Sequence, residues 1–454
     1  MDKGKLDILR SEPIGSLLWR YFWPAFIGVM ANALYNIVDR IFIGQWIGAE
    51  ALSGITAVFP VMIIMMAFGM LVGIGGSVQL SIALGREDYS RSNKVLGNTV
   101  LLVLVVSILV SGLGFAIKGP MLNWFGATDV TVGYANDYLN IILWGVIFQM
   151  YGFSLNSLIR AEGNAKIAMY SMLISAGVNI PLDAFFIGVL GWGVKGAAYA
   201  TIISMMILSV WVSWHFRSKR SIVRFSWNTM KPDWKIIAAI LGVGLAPFFM
   251  QIANSVVQSV VNSQLIAYGG DIAVGAMGII ISVTVLVIMT IVALNMASQP
   301  IIGYAFGAGM TERVKETVRK GMIIATIIST GSWLVIQLIP GPLIKIFNTD
   351  NEELLRYGII GFRTYLFMLP VVGFQIIISN YFQSVGKAKI AAFLSLLRQV
   401  IILLPLLFIL PKEFGLRGIW LASPIADTVA AMVSGTLMYL EWKRFLSNQA
   451  SGNE

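Results

Sequence analysis

The chain contains no cysteine, which excludes disulfides, thiolate nucleophiles and Cys-ligated zinc or iron–sulfur sites. Its only histidine is His215, so a His-rich metal site or a His-dependent triad has almost no material. Charge is scarce too. Asp, Glu, Lys and Arg make up 12% of the 454 residues, against about 25% in soluble folds, too little to cover a water-facing surface. Phosphate-loop spacing is missing, because Gly386-Lys387 is followed by Ala388 where Ser or Thr is required; G-x-S-x-G does not occur either. Neither ATP hydrolysis by this chain nor an enzymatic role is expected.

What is abundant is apolar. Hydrophobic residues make up 57% of the chain, so its solvent is mostly lipid; disorder, a nucleic-acid-binding module and a small secreted domain are excluded. Crossing about 30 Å of hydrocarbon takes roughly 20 apolar residues. Segments of that kind fall at 14–43, 52–82, 95–117, 132–158, 167–190, 196–216, 236–267, 272–300, 318–339, 355–382, 390–410 and 416–441. The expected fold is all-α and integral to the membrane, with twelve spans. The chain opens on the polar Met1-Asp2-Lys3-Gly4-Lys5, unlike a cleaved signal peptide. Most Lys and Arg fall at the termini and in the even-numbered loops. The odd-numbered loops hold only Lys118, Lys195, Lys345, Arg356, Lys412 and Arg417. Cytoplasmic loops retain positive charge, so both termini are expected in the cytoplasm. The net charge of +10 then answers to anionic headgroups.

The sequence repeats itself. Gly163-Asn164-Ala165-Lys166-Ile167-Ala168 matches Gly386-Lys387-Ala388-Lys389-Ile390-Ala391, 223 residues later. Gly193-Val194-Lys195-Gly196 matches Gly415-Leu416-Arg417-Gly418 at 222, as Gly85, Arg91 and Phe125 match Gly307, Arg313 and Phe347; Pro24 matches Pro247 at 223. An offset held along the chain marks a duplication. The expected organisation is two pseudo-twofold-related six-helix lobes, 1–216 and 236–454, joined by the basic cytoplasmic linker 217–235. Even-numbered halves relate by an axis along the membrane normal, an arrangement suited to alternating access.

Charges inside spans cost about 2.5–3.5 kcal/mol each at a helix centre, so each needs a reason. Asp39 follows Asn32 and Asn36 at i, i+4 and i+7, one helical face. Asn179 and Asp183 stand at i and i+4 around Pro181, which leaves the Gly177 carbonyl without its helical donor. These are hard-oxygen ligands of the sort a sodium ion takes, and Thr201 adds a hydroxyl. Tyr138 reaches a similar depth. Two carboxylates held close form a proton site, a sodium site or both; a structural pair of Asp39 with the adjacent Arg40 is the other reading. Asn36, Tyr138 and Asn156 are the expected supporting groups. In the second half Gln251, Asn254, Gln258 and Asn262 form a neutral polar stripe, read either as substrate contact or as interhelical hydrogen bonding. Arg398 or Arg363 with Asp427 reads as a buried ion pair. His215, beside Trp211 and Trp214, reads as part of an interfacial belt. Met65, in a methionine cluster with Met62, Met66 and Met70, suits either a pocket that repacks around ligands or plain lipid contact.

Over essentially its whole length the chain resembles the MATE family of multidrug and toxic-compound extrusion proteins. The resemblance is carried by the duplicated halves, Pro24 and Asp39, Gly85 with Arg86-Glu87-Asp88, Gly163-Asn164-Ala165-Lys166 and, most specifically, Asn179-Ile180-Pro181-Leu182-Asp183. It implies the branch whose coupling-cation site lies in the amino-terminal lobe, with Asp39, Asn179, Asp183 and Thr201 binding Na+ or H+. It also implies antiport of amphiphilic organic cations; the substrate pathway expected from the residues is Asn32, Tyr35, Met65, Gln251, Asn254, Gln258 and Asn262. No covalent cofactor and no nucleic-acid partner are expected. The partners are small toxic or drug-like cations and membrane lipid, and the protein is expected to be a monomer of the plasma (inner) membrane. A related exporter or flippase of an anionic or lipid-linked metabolite is the alternative, with Arg363 and Arg398 as ligands.

Overall fold

The computed structural model of the protein describes residues 4–125, 128–347 and 351–451; Lys3, which entered the charge argument, lies outside them. In lipid a spanning segment must satisfy its own backbone N–H and C=O groups, which for these apolar runs selects helices. A short α1 (Gly4–Ser11) precedes α2 (Ile14–Trp46), α3 (Ala49–Gly85), α4 (Tyr89–Trp124), α5 (Val132–Ala161), α6 (Ala165–Asp183) and α7 (Gly193–Arg217). The second half holds α8 (Trp234–Gly307), α9 (Thr311–Leu338), α10 (Pro340–Lys345), α11 (Glu352–Tyr365), α12 (Leu369–Ser384), α13 (Ala388–Leu396), α14 (Leu404–Phe414) and α15 (Leu416–Ser451). A π-helical turn, Ala184–Val189, extends α6, and another, Leu397–Leu403, joins α13 to α14.

Ten of these helical stretches are long and apolar enough to cross a membrane, and the bent pair α11 and α12 makes an eleventh. The 74-residue α8 is too long for one crossing, at roughly 110 Å for 1.5 Å per residue. It breaks at Gly270, where φ is 64° and ψ −168°, a backbone that needs glycine. Its arms, 234–269 and 271–307, complete twelve crossings, and the break falls in the expected gap between 267 and 272. Helix ends run beyond the apolar runs. Thus α4 begins at Tyr89 rather than 95, because the Asp88 carboxylate caps it by accepting the Arg91 N–H at 2.8 Å.

The closest seam between the duplicated halves runs along α3 and α8. A Cβ on Gly85 would lie 2.0 Å from the Tyr304 carbonyl oxygen, and one on Gly307 would lie 2.2 Å from that of Ile82. Ile82 and Tyr304, like Gly85 and Gly307, are 222 residues apart. The duplicated residues therefore meet reciprocally, as across a twofold axis. Beside them Gln299 Nε2 donates to the Ser77 hydroxyl at 2.9 Å.

The linker after α7 is held by one buried carboxylate. Glu162 accepts hydrogen bonds from Asn164 Nδ2 (2.6 Å), the Ser221 hydroxyl (2.7 Å) and the Ile222 N–H (3.2 Å), and its other close partner is His215 Nε2. His215 is 3% exposed. It is therefore not part of an interfacial belt, since its ring turns inward to a carboxylate that hydropathy does not reveal. Glu162→Ala strands several donors at once, at about 1–3 kcal/mol for each that stays unsatisfied. The expected result is a lower melting temperature in detergent and faster tryptic cleavage between Arg217 and Arg224. Unchanged melting and cleavage would show that the carboxylate does not hold the linker.

Candidate functional site

Counting along the helices brings the intramembrane acids to one depth. Asp39 lies seven residues before the end of α2, Asp183 six before the end of the π-helical turn, Tyr138 six after the start of α5 and Thr201 eight after the start of α7. At 1.5 Å per residue all four sit roughly 9–12 Å from the same end of the bundle. α2 packs on α6, α6 on α7 and α7 on α5, which brings the helices that carry them side by side. Pro181, inside α6, removes one backbone donor, and the chain then widens into the π-helical turn directly after Asp183. Such turns recur at functional sites because they re-aim side chains within a helix.

Asn179 and Asp183 are fully buried, and Tyr138, Thr201, Tyr35 and Asp39 are 2–8% exposed. Asp39 acts electrostatically on Asp183, and both act on Tyr35 and Tyr138; the Tyr138 hydroxyl also interacts with the Thr201 side chain. One oxygen of Asp39, both of Asp183, and the amide oxygen and nitrogen of Asn179 have no hydrogen-bond partner among the described residues. Arg40 does not supply one. Its guanidinium sits 4.8 Å over the ring of Phe59, so the structural Asp39–Arg40 pair does not form.

These residues fit a small monovalent cation or a proton. The set offers two carboxylates, an amide oxygen and a hydroxyl, all hard oxygen donors. It has no soft ligand for a transition metal, and no cluster of three or more His, Cys, Asp or Glu suited to a metal ion occurs among the described residues. Buried polar groups are normally paired, and each exception needs an explanation. Here several exceptions converge on one spot.

Other expected residues go elsewhere. Asn156 is 18 residues along α5 from Tyr138, roughly 27 Å away. It donates to the Ala168 carbonyl (2.8 Å) and the Ser171 hydroxyl (2.6 Å) and accepts from Arg160. It ties α5 to α6 and does not support the acids, because its amide is consumed locally. Asn36 and Asn32 are exposed and bond to each other, with Asn36 Nδ2 2.7 Å from the Asn32 carbonyl. Tyr35 turns inward and joins the acid cluster instead of lining an open path. Met65 is 2% exposed within the core of the first half, so it offers no substrate surface. Its neighbour Met66 is 41% exposed.

The second half is built differently. Arg398, within its own π-helical turn, pairs with Asp427, which also accepts from the Ser423 hydroxyl at 3.4 Å. Gln399 Nε2 donates to Asn254 at 2.7 Å, and Gln258 Nε2 to Asn262 at 3.2 Å. The stripe on α8 is thus partly spent on interhelical and intrahelical bonds, while Gln251 is half-buried. Where the first half buries two acids with no cation between them, the second neutralises its acid internally. The π-helical turns and the place of Tyr35 beside the acids could not be read from the sequence, where Pro181 was the one local signal.

Known proteins align along the whole chain. The sequence model of the family described as MatE matches twice, at residues 24–185 and 247–409. The multidrug export protein MepA of Staphylococcus haemolyticus (strain JCSC1435) is 27% identical over 451 residues, covering 99% of both chains. Among solved structures, the MATE multidrug transporter DinF-BH in its drug complex is 39% identical, with a TM-score of 0.88 over 94% of this chain and 96% of that one. MATE in its bent conformation is 26% identical, with a TM-score of 0.92 over 98% and 99%.

Proposed function

The chain belongs to the MatE family, and from that premise we propose that it exports amphiphilic organic cations in exchange for Na+ or H+. The observation that carries the reading is the buried pair Asp39 and Asp183, with Asn179 beside them, whose buried polar atoms lack partners among the described residues. Two carboxylates in a low-dielectric interior repel, and a cation or proton taken up between them removes that repulsion. This is the amino-terminal-lobe branch of the family. The relatives named for multidrug export and the neighbour solved with a bound drug support a small-molecule cargo.

The coupling ion acts as a second substrate. It shifts the equilibrium between outward- and inward-open forms only by as much as its affinity differs between them. The moving units are the lobes 1–216 and 236–454, rocking about the linker 217–235, and Pro24 inside α2 provides a point of bending. The protein acts as a monomer in the plasma membrane with both termini in the cytoplasm. An anionic or lipid-linked cargo would need free cations along the pathway. Arg398 is neutralised by Asp427, which weighs against it.

The test is ethidium transport in proteoliposomes under separately imposed sodium and pH gradients. At least one gradient should drive ethidium against its own concentration difference. If neither does, while the protein equilibrates ethidium downhill, the exchange reading fails.

A further inference from the structure

A groove of about 470 Å³ lies between the bent pair α11–α12 and α15, lined by Arg363, Phe367, Met368, Leu421, Ile425, Thr428 and neighbours. Every lining residue belongs to these helices or to the break between them. None comes from the first half, so the groove does not open into the space between halves. Phe367, Leu421 and Ile425 are 53%, 36% and 40% exposed. In a chain whose solvent is lipid, those exposed apolar faces meet acyl chains.

The groove has a polar end and an apolar end. One crossing separates α12 from α15, so the two helices run in the same direction through the membrane. Arg363 and Leu421 come first along each, and Met368 and Val429 last. Arg363 lies eleven residues, roughly 16 Å, inside the start of α11 at Glu352. Leu421 is five residues, about 7 Å, inside the start of α15. Arg363 is exposed, so its long side chain snorkels back to headgroup level, and the trough descends from it toward the midplane. The trough owes its width to the 49° bend between α11 and α12, which parts the two helices there.

Arginines line that mouth, on the side where the chain otherwise has little positive charge, while the acids of that end, Glu352 and Glu353 in the first turn of α11 and Glu413 at the end of α14, stand nearer the helix ends. Arg356 precedes Arg363 by seven residues, which puts both on one stripe of α11; its guanidinium stacks 5.5 Å over Tyr357. Arg417 precedes Leu421 by four and continues the stripe that lines the groove. Lys118 and Lys195, by contrast, are engaged by Asn140 (2.6 Å) and Asp137 (3.3 Å). Among the described residues neither Arg363 nor Arg417 has an acidic partner, and both are exposed. A cation at headgroup level above an apolar trough complements one thing in a bilayer, a negatively charged phospholipid.

We infer that this groove is a binding site for an anionic phospholipid, its headgroup held by Arg363 and Arg417 and one acyl chain laid along Phe367, Ile425 and Thr428 at the bend. The inference is independent of the coupling ion and of the cargo.

The absence of native cysteine makes the test direct. Met432→Cys lies on the same stripe one turn inward of Thr428, at an exposed position (60%), and accepts a single bimane label. The labelled protein is placed in phosphatidylcholine nanodiscs holding a minor fraction of brominated-chain lipid. Brominated phosphatidylglycerol should quench about fivefold more than brominated phosphatidylcholine at the same fraction, the ratio expected for one basic residue at a charged headgroup. Arg363→Gln should bring the two lipids close to equal. Ile425→Trp fills the trough but keeps the arginine, and should also remove the preference. Equal quenching without either substitution overturns the inference. So does a phosphatidylglycerol preference that survives either substitution, since it would then come from general surface charge.

Discussion

Asp183→Asn abolishes ion-driven efflux. The initial rate under an imposed gradient falls by about 100-fold, near the upper end of what one coupling free energy supplies, and Asp39→Asn behaves alike. Asparagine keeps the shape of aspartate but can neither carry the negative charge that attracts a cation nor bind and release a proton near neutral pH. The fold has little reason to suffer. Asp183 makes no side-chain hydrogen bond among the described residues, so no native bond is lost, and one of two mutually repelling charges is removed. The melting temperature of the purified variant should stay within a few degrees of the unsubstituted protein, or rise. That combination separates a coupling residue from a structural one, because a buried acid that holds the fold together loses stability with its charge. Efflux above a third of the original rate under the same gradient would place the coupling site elsewhere.

Gly244→Ala has the next-largest effect, from a part of the chain with no chemistry. A Cβ on Gly244 would stand 1.8 Å from the Leu71 carbonyl oxygen and 2.6 Å from its carbon. Both are backbone atoms of α3 and cannot rotate away. Gly75 meets the same problem from the other side, 2.0 Å from the Ile240 carbonyl oxygen. One methyl group therefore forces α3 and α8 apart where the halves now touch, and the closed seam becomes the disfavoured state. Packed interfaces respond to such wedges by switching between arrangements rather than by bending gradually. Ser77→Cys with Gln299→Cys reports on the seam, because those side chains are joined at 2.9 Å and no other thiol competes. A short bifunctional methanethiosulfonate should bridge them readily in the parent. With Gly244→Ala the yield should fall by roughly tenfold, as a seam energy changed by about 1.4 kcal/mol gives, and efflux should fall with it. Unchanged bridging would mean that the contact tolerates the extra atom and is not a moving seam.

The linker clasp at Glu162 and the glycine seam share a property that the acids do not. Neither can be found by counting polar residues in apolar runs. Glu162 lies in a turn, where a carboxylate looks ordinary, and only the fold brings His215 and Ser221 to it from more than 50 residues away. Gly244 is one of 45 glycines, and nothing local distinguishes it from Gly242, whose added Cβ would meet no atom closer than 4.0 Å.

The sequence by itself determined the solvent, the twelve crossings and the duplication, since lipid tolerates little but apolar helix and a repeat keeps its offset. It also determined the depth of Asp39, Asn179, Asp183 and Thr201, because helical rise converts residue number directly into height. Height is one coordinate of three, and tertiary structure decided the others. It turned Tyr35 toward the acids and Arg40 onto Phe59, buried Met65, and spent Asn156 on a helix-to-helix bond. It gave Asp427 an ion pair while leaving Asp39 and Asp183 without one among the described residues. Periodicity names the face a residue shares, but the neighbour across from that face is set by how helices distant in sequence pack together.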